Sequence, residues 1–369
     1  MFATKTQEFV YKRALKPFLF SFDPETVHDR MCSIGKVLGD SRVGRGLCSK
    51  LFSYRHKALE QTLLGIHFQN PVGLTAGFDK NAELTQIMPS VGFGFEVIGS
   101  VTGEPCVGNA KPRLWRLPKS KGLVVYSGLK NDGCEAIANR LSRREFSMPI
   151  GVSVAKTNSP DTADPHRGVM DYKKAMETLK DVGDYFVVNI SCPNAFGGEP
   201  FADPERLDML LDSIDTVETQ KPILLKVAVD ISPKELNRLI DVADNHRVHG
   251  FILSNLTKDR TRLSINQSEV AGITKGGISG KPTTEPSNRL ISHLYKKAGG
   301  RYVIVGVGGI FTARDAYEKI QCGASLVQLA TGMIFQGPQV IGQINKGLVN
   351  LLKKDGFDTI AQAVGSKHR

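Results

Sequence analysis

No stretch of this 369-residue chain approaches the roughly eighteen uninterrupted apolar residues of a membrane span. Its start shows neither the apolar core nor the small-residue cleavage site of a secretory signal, so residence in a reducing cytoplasm is expected. Cysteine is sparse and dispersed. Cys32, Cys48, Cys106, Cys134, Cys192 and Cys322 form no CxxC pair and no zinc-type cluster with histidine, which argues against a disulfide framework, an iron–sulfur centre and a structural metal. The histidines contain no HExxH, and His246 and His249 are the closest pair. Repeats, low-complexity tracts and long linkers are also missing. Charge is not balanced: 48 Lys and Arg against 37 Asp and Glu give a formal +11. The basic residues are interspersed with acidic ones, so anionic small molecules or lipid are expected as partners and nucleic acid is not.

What is present is a count. Eight short runs rich in Val, Ile, Leu and Phe recur at 70–78, 95–101, 150–156, 185–190, 223–229, 250–255, 302–307 and 326–330, each apolar on both faces as a parallel strand must be. Helical periods separate most of them. One is Glu205 to Val217 behind an Asp203-Pro204 start; another begins at Thr312 with Asp315 three residues on. This alternation predicts a closed (β/α)₈ barrel over 61–369, with a doubly wound open sheet as the alternative. Residues 1–60 read as a helical N-terminal extension of two helices. The second has Asp23 as cap, Pro24 at the first position and an apolar stripe of Val27, Met31, Ile34 and Leu38. The first sets Phe9, Val10, Leu15, Phe18, Leu19 and Phe20 beside Lys12, Arg13 and Lys16, a composition suited to a membrane surface or to a quiet cap on the barrel.

In such a barrel chemistry gathers at the C-terminal ends of the strands. The polar residues follow that rule: Asp79, Lys80 and Asn81, then Ser100 and Thr102, Lys156, Asn189 and Cys192, Lys226, Ser254 and Asn255, Gly308 and Gly309, and Thr331. The run Val187-Val188-Asn189-Ile190-Ser191-Cys192-Pro193-Asn194 delivers two amides and a thiol into one turn, able to hold a planar polyfunctional ligand and exchange a proton with it. An Asn-Pro-Asn type of turn with the cysteine as filler is the plainer alternative. Gly308-Gly309, followed by Ala330-Thr331-Gly332, has the form of a phosphate cradle, to which the glycine loop 276–280 could add donors. Lys226, ending the dry run Ile223-Leu224-Leu225, would place an ammonium at the mouth, where it could stabilise a reduced flavin or form an ordinary ion pair.

The runs NPVGLTAGFDKNAE, VIGSVTGEP, GNAKPRLWRLP, VVNISCPN, GGISGKP, GVGGI and GASLVQL resemble the dihydroorotate dehydrogenases over nearly the whole chain. DPETVH at Asp23 to His28 and the C-terminal Val364 to Arg369 resemble the quinone-dependent class 2 branch. The resemblance implies FMN as cofactor and oxidation of dihydroorotate to orotate, with a membrane quinone as acceptor, in pyrimidine synthesis at the cytoplasmic side of the cell membrane. It implies Cys192 as base with Lys80 as helper, and Lys80, Asn189, Asn194 and Asn255 on the substrate. Ala76, Gly77, Ser100, Asn189, Lys226, Ser254, Gly280, Gly309 and Thr331 would contact FMN. His28 and Arg116 would line a quinone path through the extension, whose deletion is then expected to spare flavin reduction.

The match has departures. Cys192 is the habit of the soluble class 1 enzymes, where the quinone branch usually has serine. Val125 and Leu256 stand where the family has substrate-binding polar residues, Ala330 replaces a tyrosine, and Ser153 replaces an asparagine near the flavin. Tyr126 and Thr257 are the side chains expected to compensate. These departures keep two alternatives open: a flavin enzyme for another cyclic amide or enone, and a non-catalytic flavin-binding scaffold.

Overall fold

The structure is a computed structural model describing residues 2–369, with side chains from Thr6 onward. The eight apolar runs become the strands Val72–Leu74, Phe95–Val101, Ile150–Val154, Tyr185–Asn189, Ile223–Val227, Gly250–Leu253, Val303–Val307 and Leu326–Leu329. They neighbour one another in chain order, all parallel, and the last pairs with the first through Val327 against Val72. That pairing closes the barrel and removes the open-sheet alternative. The first strand is much shorter than the expected 70–78. Asn70 starts it by accepting from the Val72 amide at 3.0 Å, and Gly77 at φ +97° breaks the extended chain beyond it.

Alternation places Phe95, Val97, Tyr185, Val187, Leu224, Ile252, Val305 and Leu326 inside the barrel. A short hairpin, Gln61–Leu63 with Ile66–Phe68, brings Phe68 into the same cluster, its ring meeting Phe95 edge-on at 5.4 Å. The opposite strand faces pack on surrounding helices. Pro204–Asp215 is capped by Asp203 and buries Leu207, Leu210, Leu211 and Ile214, while Ala313–Gln321 opens on a Thr312/Asp315 capping box.

Two features depart from expectation. The extension holds a further helix, Arg42–Phe52, capped by Ser41, beyond the helical N-terminal segment Phe2–Phe20 and the helix Pro24–Asp40. Its glycines and basic residues hide an apolar stripe too sparse to read, and Gly44 lets it pass against Leu38, whose carbonyl oxygen would lie 2.6 Å from an added Cβ. The glycine-rich 276–280 is not a loop. Gly277–Gly280 pairs antiparallel with Gly122–Val125, which pairs with Leu114–Leu117, and Ile278 and Val124 share a small core with Leu117 and Ile265.

Candidate active site

Continuing two residues toward the C-terminal end from interior Val187, Leu224, Ile252 and Leu326 reaches Asn189, Lys226, Ser254 and Gln328. All four border one cavity of about 1340 Å³, open solvent at its mouth included. On the second strand a register shift between Ile98 and Val101 accompanies the turn of Ser100 into the same space. Loops supply Ala76, Gly77 and Lys80 after the first strand, Cys192 and Asn194 after the fourth, and Asn255 after the sixth. Gly309 and Thr331 follow the seventh and eighth, Gly280 comes from the small sheet, and His28 from the extension. Every expected catalytic, cofactor and substrate residue is therefore on one cavity.

Arg116 is the candidate left outside it. Its guanidinium donates to the Phe22 carbonyl at 2.7 Å and stacks 4.6 Å from the Phe20 ring centroid, so it fastens the extension. Asp79, Asn81, Thr102 and Lys156 also stand behind the mouth and hold loops. Asp79 accepts from the amides of Glu83 and Leu84, Asn81 from that of Asp132, Thr102 donates to Glu104, and the Lys156 ammonium donates to the Phe196 carbonyl at 2.5 Å.

The amides are pre-set. Asn189 Nδ2 donates to Ser100 Oγ at 2.9 Å, and its Oδ1 accepts from the Ser191 amide and hydroxyl. Asn194 Nδ2 donates to the Val125 carbonyl at 2.9 Å and Asn255 Nδ2 to that of Ser191 at 2.8 Å, which leaves each side-chain oxygen as the acceptor on offer to a ligand N–H.

The charges are shaped by burial. Lys226, 4% exposed, has Thr75 Oγ1 at 3.5 Å, and burial pulls it down to about 8. Burial also lowers Lys80, with Lys130 adding repulsion and Glu25 and Asp29 opposing it. Cys192 is pushed up to about 11 by burial, against which the Asn194 amide and the cations Lys156 and Lys226 pull. The cations Lys156 and Lys226 are among the groups that pull on the thiol. His28 falls to about 4 through burial, so it is neutral at pH 7, and its ring meets Phe78 edge-on at 4.9 Å.

Three buried atoms stay unpaired at the mouth: Ser254 Oγ and both amide atoms of Gln328. Each such atom costs about 1–3 kcal/mol unless a ligand pairs with it. Gly77 has nothing within 4 Å of an added Cβ, so a side chain there would project into free space beside the cavity, and Gly280 and Gly309 take left-handed φ of +86° and +71° next to the Ser279–Thr331 hydroxyl pair at 2.9 Å. A flat ring with hydrogen-bonding edges and a phosphate tail fits that donor set. Gln328 was missed in the sequence, although its place two residues beyond interior Leu326 carried the signal.

Val125 and Leu256 do line the wall as apolar groups. Tyr126 and Thr257 do not compensate. Neither borders the cavity, and Thr257 Oγ1 is spent on Asp230 at 2.6 Å. Ser153 donates to or accepts from Ser100 Oγ at 2.7 Å, so it buttresses the cavity wall from behind.

A closed barrel carrying its amides, thiol and lysines at the C-terminal rim defines a (β/α)₈-barrel enzyme. The profile of the family described as dihydroorotate dehydrogenase matches residues 58–352. The chain is similar to "Dihydroorotate dehydrogenase (quinone)" of Trichodesmium erythraeum, 36% identical with 96% of this chain and 98% of that one covered. The protein of that name from Christiangramia forsetii is 39% identical, with 92% and 99% covered. Among solved structures, Eimeria tenella DHODH in complex with ferulenol superposes with a TM-score of 0.80 at 28% identity over 94% of this chain and 96% of that one. The chain belongs to the dihydroorotate dehydrogenase family.

Proposed function

We propose that the protein oxidises (S)-dihydroorotate to orotate and passes the electrons to a quinone, a step of pyrimidine synthesis, with FMN as its cofactor. The observation that carries this is the convergence of Cys192, Asn194, Asn255 and Lys80 on the cavity that also holds the unpaired Ser254 and Gln328. When bound, FMN supplies the two-electron sink for the substrate's hydride.

The chain does the rest. Gly280, Gly309 and Thr331 receive the phosphate; Ala76, Gly77, Ser100, Ser254, Lys226 and Gln328 hold the ring, and the Lys226 ammonium favours negative charge against it. Lys80 meets the substrate carboxylate, while Asn189, Asn194 and Asn255 fix the ring amides. Cys192 Sγ takes the proton from the carbon beside the ring carbonyl, helped toward thiolate by Lys156 and Lys226.

The quinone reaches the cavity past His28, along a path whose helix end Arg116 fastens. No helix among the described residues is long and apolar enough to cross a membrane. Exposed Phe9 and Phe18, with Lys12 and Arg13 between them in the sequence, and exposed Val37, Val43 and Leu47 suit peripheral contact with an anionic bilayer on its cytoplasmic side.

Anaerobic mixing of the FMN-loaded protein with dihydroorotate should bleach the flavin, and a soluble quinone should restore its colour. Flavin that binds but is never bleached overturns the substrate. Apolar Val125 and Leu256 on the cavity wall favour, as the second reading, another cyclic amide or enone; a non-catalytic scaffold is left if none is oxidised.

A further inference from the structure

Glu25, the second residue of the extension's helix Pro24–Asp40, is buried at 5% exposure against the chain that leads into the strand Leu114–Leu117. Its carboxylate meets Arg113 in a fork: Nε lies 3.1 Å from both oxygens and Nη2 lies 2.7 Å from Oε1. Lys111 and Lys130 stand further off at 3.6 and 3.7 Å. Burial raises the Glu25 carboxyl, but the Arg113 hydrogen bonds and charge outweigh it and hold it down to about 2.

Arg113 turns Nη1 on the chain that precedes it. Its Nη1 donates to the carbonyls of Val107 and Asn109, each at 2.8 Å. Asn109 in turn donates from Nδ2 to the Asn194 carbonyl at 2.9 Å and accepts from Asn158 at 3.0 Å. Asn158 Oδ1 accepts from the Phe196 amide at 2.8 Å. An unbroken set of bonds thus runs from a helix of the extension to the loop carrying Cys192 and Asn194.

We propose that Glu25 is a positioning residue for the substrate loop: by locking Arg113 it fixes Asn109 against Asn194, so the extension sets substrate affinity as well as serving the acceptor. This rests on the assignment of Asn194 as a substrate group. It predicts the opposite of the expectation that deleting the extension spares flavin reduction. A buried carboxylate–guanidinium pair is costly to break because the survivor is left charged and unpaired, so its removal should loosen everything that Arg113 holds.

The experiment uses the full-length FMN-loaded protein and the variants Glu25→Gln and Arg113→Lys, the second covering a failure of the first to fold. Hydrogen exchange should quicken at the amides of Tyr126 and Phe196, which donate to Arg113 O and Asn158 Oδ1, and stay unchanged in the helix Pro204–Asp215. Calorimetric orotate affinity should weaken about tenfold, with the dihydroorotate KM rising more than kcat falls and the soluble-quinone KM steady. Asn109→Ala combined with Glu25→Gln should weaken orotate by less than the product of the two single effects. Unchanged exchange at Tyr126 and Phe196, or equal losses on orotate and quinone, overturns the proposal. A parent that never binds orotate overturns the substrate assignment instead, and the exchange measurement still decides whether Glu25 orders the loop.

Discussion

Asn189 Nδ2 donates to Ser100 Oγ at 2.9 Å, joining the fourth barrel strand to the second across the intervening third. Ser153, on that third strand, completes the link from behind through its 2.7 Å contact with Ser100. That part of the cavity wall is thereby held by the chain's own hydrogen bonds. Asn189→Ala should leave Ser100 and Ser191 short of a partner and destabilise the protein by about 1–3 kcal/mol, together with weaker orotate binding. Denaturant melts and a calorimetric titration check both.

Removal of the thiol isolates proton transfer. Cys192→Ala should slow flavin reduction by dihydroorotate by about 10²–10⁴-fold while orotate affinity holds. In the parent, burial keeps the thiol up at about 11, so the thiolate is a minor form at neutrality and its fraction grows as pH rises. Stopped-flow reduction rates should therefore climb with pH through the neutral and mildly alkaline range. A flat profile would count against the sulfur as base.

The cradle has no room for a side chain at Gly309. An added Cβ would fall 1.8 Å from Thr284 Oγ1, in a backbone with φ +71°. Gly309→Ala should cost FMN affinity by about tenfold or more, leaving a paler protein whose far-ultraviolet dichroism is unchanged. The flavin released on denaturation measures it.

Leu256 presents methyl groups where a hydroxyl could meet a polar ring. Leu256→Thr should tighten orotate by about 1 kcal/mol, a fraction of the usual cost of an unpaired ligand atom. Weaker binding in the variant would mean that the apolar wall is matched to a different ring, which is the second reading above.

Away from the mouth, His246 lies between Asp215 at 2.8 Å and Asp208 at 3.0 Å. Burial alone would lower its pKa, but the two carboxylates outweigh this and raise it. A raised folded value stabilises fully below the unfolded pKa of about 6.5, and the benefit is lost as pH climbs through the folded one. His246→Gln should thus destabilise at about pH 6 and much less at about pH 9, by no more than about 1 kcal/mol because Asp208 faces solvent. Denaturant titrations at the two pH values compare them.

The barrel was legible because parallel strands buried on both faces write themselves as mostly apolar runs, and each of the eight is buried along all or nearly all of its length. Asn189, Lys226 and Ser254 were legible because a polar residue ending such a run has one place to go. Gln328 lies inside its run, between Val327 and Leu329, and the apolar neighbours masked it. Gly277–Gly280 was hidden by its glycines, since its strand character comes from pairing with Gly122–Val125, far away in sequence. The Glu25–Arg113 pair has a separation of 88 residues, and no local pattern announces such a partner.

Phe68, seated among the interior side chains with its ring against Phe95, makes the barrel a cup rather than a pipe. The cavity at the C-terminal ends of the strands is therefore backed by packed side chains rather than by a channel.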